Sequence, residues 1–80
     1  MTDDELRATV IAALKRVAPE VEDDDLRDTK PLRTQVDLDS LDWLTFLIGL
    51  HEDLAVDIPE ADYAGLVTLR DLLTYLRARL

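Results

Sequence analysis

The stretch "LDWLTFLIGLHEDL", residues 41–54, constrains this chain more than any other, because its apolar residues are too many for one helix face against one small core. At 100 degrees per residue, Trp43, Phe46, Leu47, Leu50 and Leu54 form one arc, and Leu41, Leu44 and Ile48 form another beside it. Together the arcs cover about 220 degrees, roughly twice what a helix lying on a small core requires. The remaining wedge holds Asp42, Thr45, Gly49, Glu52 and Asp53. Either other elements surround the helix on most sides, or the second arc is an exposed apolar strip rimmed by acids, which is the composition of a docking face. Trp43 falls on the core arc, where a large apolar side chain belongs.

Two further helices are legible from their starts. Thr2 followed by Glu5 has capping-box spacing, and Leu6, Val10, Ile11, Leu14 and Val17 recur at helical intervals, predicting a first helix from about Asp3 to Ala18. Pro19 stops it. Thr68 and Asp71 repeat the capping spacing ahead of a stripe made by Leu69, Leu72, Leu73, Leu76 and Leu80, with Arg77 and Arg79 in the favourable last turn. Between them, Asp39 or Ser40 caps the central helix, and "VDIPEADYAG" offers one or two turns of a short third helix, with Pro59 near its start and Gly65 as its stop. "EVEDDDLRDTKPLRTQVDL" is too polar for a core helix and reads as a long ordered loop pinned by Val21, Leu26, Leu32 and Val36. No alternating run suggests a sheet. The expectation is all-α: a small four-helix bundle with a long first loop and a short third helix, one domain over residues 1–80.

A hydrophobic content of 48% separates this chain from disordered acidic sequences. Its formal charge of -9 argues against a nucleic-acid partner, since phosphate contact needs clustered Lys and Arg. Basic protein surfaces suit it better. Between Arg33 and Arg70 there is no Lys or Arg, while Asp37, Asp39, Asp42, Glu52, Asp53, Asp57, Glu60 and Asp62 all fall there. No stretch approaches the roughly 20 apolar residues of a membrane span, and "MTDDELRATV" is acidic where a secretory signal would be basic, so a cytoplasmic monomer is expected.

Catalytic equipment is sparse. The absence of cysteine excludes thiolate chemistry and cysteine metal sites from the polypeptide, though not from a group attached to it. His51 has no histidine or cysteine companion and reads as a rim residue. "DLDSLDWLTFLI" fails as a calcium loop, with Asp42 at the glycine position and Ile48 at the final glutamate position. "DSL" lacks the flanking glycines of a hydrolase elbow. No metal site and no enzyme activity are expected. Ser40 is then a helix cap or near-cap, or a serine kept for another purpose.

"DLDSLDWLTFLIGLHEDLAVDIPEADY" resembles the prosthetic-group segment of acyl carrier proteins, with Asp-Ser-Leu heading an acidic amphipathic helix and Ile-Pro and a short helix about twenty residues on. The likeness extends over the whole chain, including its length, the long first loop and the closing "TLRDLLTYL". The resemblance implies that Ser40 receives phosphopantetheine from coenzyme A as a phosphodiester, and that the arm's thiol carries acyl groups as thioesters in fatty-acid or specialised lipid biosynthesis. A helix N-terminus suits such a phosphodiester. Asp39 looks like the family's aspartate before the serine, available to a transferase's magnesium and coenzyme. Leu41, continued by Leu44 and Ile48, looks like the apolar contact gripped by phosphopantetheinyl transferases and by acyl-transferring and synthase enzymes, whose basic patches would meet Asp42, Glu52 and Asp57.

Acyl chains in this family can slip between helices, so Phe46, Leu47, Leu50, Leu54 and Ile58 are either core or cavity lining. The family pattern is broken at Asp37, where glycine is expected, at Thr45 and His51, where acids are expected, and at Trp43, where a small residue is usual. These departures bear on the client enzymes more than on the carrier role. Amino-acyl, peptidyl and polyketide carriers share the pattern. A different class of function, an acidic helical interaction module with no prosthetic group, would use the same Leu41, Leu44, Ile48 strip.

Overall fold

A computed structural model describes all 80 residues. Four α-helices follow one another: α1 (Asp3–Val17), α2 (Leu32–Gln35), α3 (Ser40–Leu54) and α4 (Leu69–Arg77), with 3-10 turns at Asp23–Asp25 and Glu60–Gly65. No strand is present; an isolated antiparallel bridge joins Pro31 to Thr68. The architecture is the expected small helical bundle, and it differs from expectation in three places.

The polar first loop contains a four-residue helix, α2, that the sequence pattern does not reveal. Gln35 organises what precedes it: its Oε1 accepts the Arg27 N–H at 2.7 Å, and its Nε2 donates to the carbonyls of Arg27 at 2.8 Å and Lys30 at 3.0 Å. Val21, Leu26, Leu32 and Val36 are buried and pin the loop as expected. Its far end is stitched to the start of α4 by Leu32 N–H to the Val67 carbonyl and Arg70 N–H to the Asp28 carbonyl. The short third helix is a 3-10 turn, with Pro59 as its cap and no side-chain capping bond. The last helix stops at Arg77 rather than continuing the leucine stripe, because Leu80 is 55% exposed and the final residues tighten into i to i-3 bonds.

Both capping boxes are formed. Thr2 and Glu5 exchange bonds of 3.1 and 3.2 Å at the head of α1; Thr68 and Asp71 do so at 3.0 and 3.1 Å at the head of α4. The 21 buried side chains, all apolar, form one cluster, and α1 packs against both α3 and α4. From α3 the cluster takes Trp43, Phe46, Leu47 and Leu50, with the Trp43 and Phe46 rings 5.3 Å apart; Leu54 is half-buried against it. An Arg16–Asp53 ion pair crosses from α1 to α3 over Gly49, whose missing side chain leaves room for the guanidinium.

Two non-glycine residues lie in the left-handed region, Asp37 at φ 54° and Ala55 at φ 53°. Asp37 turns the chain from α2 into α3, which explains why glycine suits that position; aspartate tolerates the conformation better than most residues. Ala55 ends α3 in the same way.

Candidate functional site

Asp39 and Ser40 divide the roles that the sequence left open between them. Asp39 is the N-cap of α3, and its Oδ1 accepts the Asp42 N–H at 2.8 Å. Ser40 is therefore the first helical residue and has no capping duty, so its exposed hydroxyl is free for other chemistry. The N–H groups of Ser40 and Leu41 have no partner in the protein, whereas those of Asp42 and Trp43 are held by Asp39. Two backbone donors at the positive end of a 15-residue helix thus stand beside the Ser40 oxygen.

Arg33 completes the constellation. Its Nη2 donates to Ser40 Oγ at 3.3 Å from α2, across the turn made at Asp37. Nothing in the spacing of the sequence points to this contact.

The second arc of α3 is exposed. Leu41 is 71%, Leu44 41% and Ile48 46% accessible, forming a continuous apolar strip that runs from Ser40 down the helix. Their exposure decides between the two readings of the wide apolar surface, since a helix enclosed on most sides would bury them. Glu52 and Asp57 are exposed; Asp42 is half-buried at the edge of the strip. Ile48 and Asp57 line a surface depression of about 220 Å³ together with His51, Ile58 and Tyr63. Ile48 and Glu52 line another of about 320 Å³ on the α1 side. Asp53, one of the acids of this region, is held by Arg16 and is not free to meet a partner.

His51 also has a role inside the fold. Its Nδ1 lies 2.7 Å from the Val56 carbonyl oxygen; a carbonyl only accepts, so Nδ1 carries the proton and donates.

A groove of about 220 Å³ lies beside the serine, between Arg33 of α2, Trp43 of α3 and the Tyr63–Val67 segment. The largest depression, about 550 Å³ between the Glu60–Gly65 turn and α4, meets it only at Leu66 and includes no residue of α3. Phe46, Leu47, Leu50 and Ile58 are closed within the core, at most 7% exposed.

The family model for the phosphopantetheine attachment site matches residues 4–76. The chain belongs to this phosphopantetheine-binding carrier family. A solution structure of a candidate acyl carrier protein from Anaplasma phagocytophilum superposes on it with a TM-score of 0.82 and 26% identity, over 98% of this chain and 91% of that one. A comparison with curated proteins returned no match. The carrier is thus an acyl carrier protein in family and fold, a non-catalytic chain whose cofactor is covalent phosphopantetheine and whose partners are the enzymes that modify and use it. No helix is long and apolar enough to cross a membrane.

The residues present fit that group. An exposed hydroxyl, two unclaimed N–H donors and one guanidinium converge where a phosphodiester oxygen would need them.

Proposed function

We propose that Ser40 is the attachment point of the phosphopantetheine arm, and that the chain carries acyl intermediates on it in fatty-acid or specialised lipid biosynthesis in the cytoplasm, as a monomer. The observation that carries this reading is the Ser40 hydroxyl, relieved of capping by Asp39, exposed at the head of α3 and touched by Arg33. When bound, the group supplies the thiol that a cysteine-free chain lacks, and an acyl group is held there as a thioester.

Each neighbouring residue has a part in loading. Ser40 Oγ forms the new bond to the phosphorus that bears pantetheine as the pyrophosphate P–O bond of coenzyme A breaks; adenosine 3′,5′-bisphosphate leaves, and the serine proton passes to the transferase. Asp39 accepts one backbone bond through Oδ1, so further lone pairs remain for a magnesium ion brought by the transferase. Leu41 projects beside the serine and inserts into the enzyme, with Leu44 and Ile48 extending the apolar contact. Asp42, Glu52 and Asp57 rim the strip and steer basic partners toward it, giving fast and salt-sensitive association. Thr45 breaks the acidic rim with a hydroxyl bonded to the Leu41 carbonyl at 2.9 Å, which fits a carrier dedicated to one pathway rather than to general elongation.

Incubation with coenzyme A, magnesium and a broad-specificity phosphopantetheinyl transferase, followed by intact-mass measurement, tests the reading. One phosphopantetheinyl addition is expected on the native protein and none on Ser40→Ala. An unmodified native protein leaves an acidic interaction module in its place; an addition that survives Ser40→Ala refutes the assignment of the site.

A further inference from the structure

Arg33 is no part of the motif that marks Ser40, yet its guanidinium contacts the serine oxygen at 3.3 Å. Three independent constraints bring them together. Leu32 is fully buried, which turns the next residue of α2 outward. The Arg33 carbonyl accepts the Leu38 N–H at 3.1 Å, while buried Val36 and Leu38 hold the link down on either side. Asp37, at φ 54°, supplies the reversal between them. The link therefore folds back on α2, and Ser40 returns to the Arg33 side chain.

The charge environment makes this contact informative. Of the nine Lys and Arg residues, five hold a carboxylate in an ion pair: Arg7, Lys15, Arg16, Arg77 and Arg79. Arg27, Lys30, Arg33 and Arg70 hold none, and of these four only Arg33 reaches Ser40, although Asp37 and Asp39 lie on the link beside it. In a chain of net charge -9, a guanidinium without a carboxylate and in contact with a neutral hydroxyl is a cation awaiting an anion.

We infer that Arg33 binds the anionic phosphodiester on Ser40, an inference that rests on the attachment proposed above. The unclaimed N–H groups of Ser40 and Leu41 serve the phosphate from the helix, and Arg33 supplies the full positive charge from α2. Without Arg33, the added negative charge would lie among Asp37, Asp39 and Asp42 with only backbone dipoles to offset it. Arginine suits the task because its planar fork presents paired N–H groups to phosphate oxygens, where lysine offers a point charge.

A loading cycle tests the inference with a readout that a merely structural arginine would not move. Native protein, Arg33→Ala and Arg33→Lys are loaded with excess transferase until intact mass shows complete addition. Thermal midpoints of unloaded and loaded forms are then measured at low and high salt, together with the phosphorus NMR shift of the loaded forms. At low salt, loading should lower the midpoint of Arg33→Ala by about 4 °C more than that of the native protein, the upper range for a surface ion pair in a domain this small. Arg33→Lys should recover most of the difference, about 1 M salt should erase it, and the phosphorus resonance should move in Arg33→Ala. An Arg33→Ala variant that keeps its unloaded midpoint but cannot be loaded would place Arg33 in the transferase contact instead and overturn the inference. Equal loading shifts in the native protein and Arg33→Ala, with an unmoved phosphorus resonance, overturn the inference while the Ser40 attachment stands. No mass addition on the native protein overturns both.

Discussion

His51 Nδ1 donates to the Val56 carbonyl across 2.7 Å, locking the end of α3 to the chain that leaves it. The bond spans the left-handed Ala55, so it depends on the helix ending where it does. His51→Ala should therefore lower stability by about 1 kcal/mol, a fall of about 4–8 °C in thermal midpoint, though the residue lies at the rim of the exposed apolar strip. An unchanged midpoint would return His51 to a surface role. For the same reason, the effect of restoring acids to this face is better read from Thr45→Glu alone than from any variant that also removes His51.

Leu41 and Leu50 differ in exposure, 71% against 0%, and should separate binding from folding. Leu41→Asp should slow transferase modification at least tenfold and leave the denaturation midpoint nearly unchanged. Leu50→Ala should cost about 3 kcal/mol and, where the protein remains folded, leave the modification rate alone. Equal losses of stability in the two variants would place Leu41 in the core.

Ala55 adopts φ 53°, which strains any side chain with a Cβ. Ala55→Gly should raise stability by about 0.5–1 kcal/mol, after allowance for the greater freedom of glycine in the unfolded chain. Chemical denaturation measures it, and a loss of stability would contradict the assigned conformation.

At the head of α4, the backbone N–H of Thr68 holds the Asp71 carboxyl below its usual value of 3.8, burial opposes that, and the Val67 N–H and Thr68 hydroxyl reinforce it. A carboxyl whose folded pKa is depressed contributes stability that is present above the unfolded pKa and lost as pH falls through the folded one. Native protein should therefore exceed Asp71→Ala by about 1 kcal/mol at neutral pH, with the gap closing below about pH 4. Denaturation curves at a series of acid pH values would show it; a gap independent of pH would mean that the carboxylate does not cap.

What was legible in the sequence had local causes. The capping pairs Thr2/Glu5 and Thr68/Asp71 act within one turn, and the periodicity of residues 41–54 placed Trp43 inward and suggested an outward Leu41 strip. Ser40 was singled out by its likeness to a family, not by its spacing. The hidden features join residues whose proximity depends on turns elsewhere. Arg33 meets Ser40 only because Asp37 accepts a left-handed backbone, His51 meets Val56 only because Ala55 does, and Gln35 finds the Arg27 and Lys30 carbonyls only once α2 has formed. Arg16 and Asp53 belong to different helices, and their pairing subtracts an acid from a face that composition alone makes more negative.

Which oxygen bears the arm can be read directly. Fragmentation mass spectrometry of the loaded native protein should place the phosphopantetheinyl group on the peptide containing Ser40, and within it on Ser40 itself. Its appearance on Thr34 or Thr45, the hydroxyls nearest in sequence, or nowhere on the chain, would contradict the assignment.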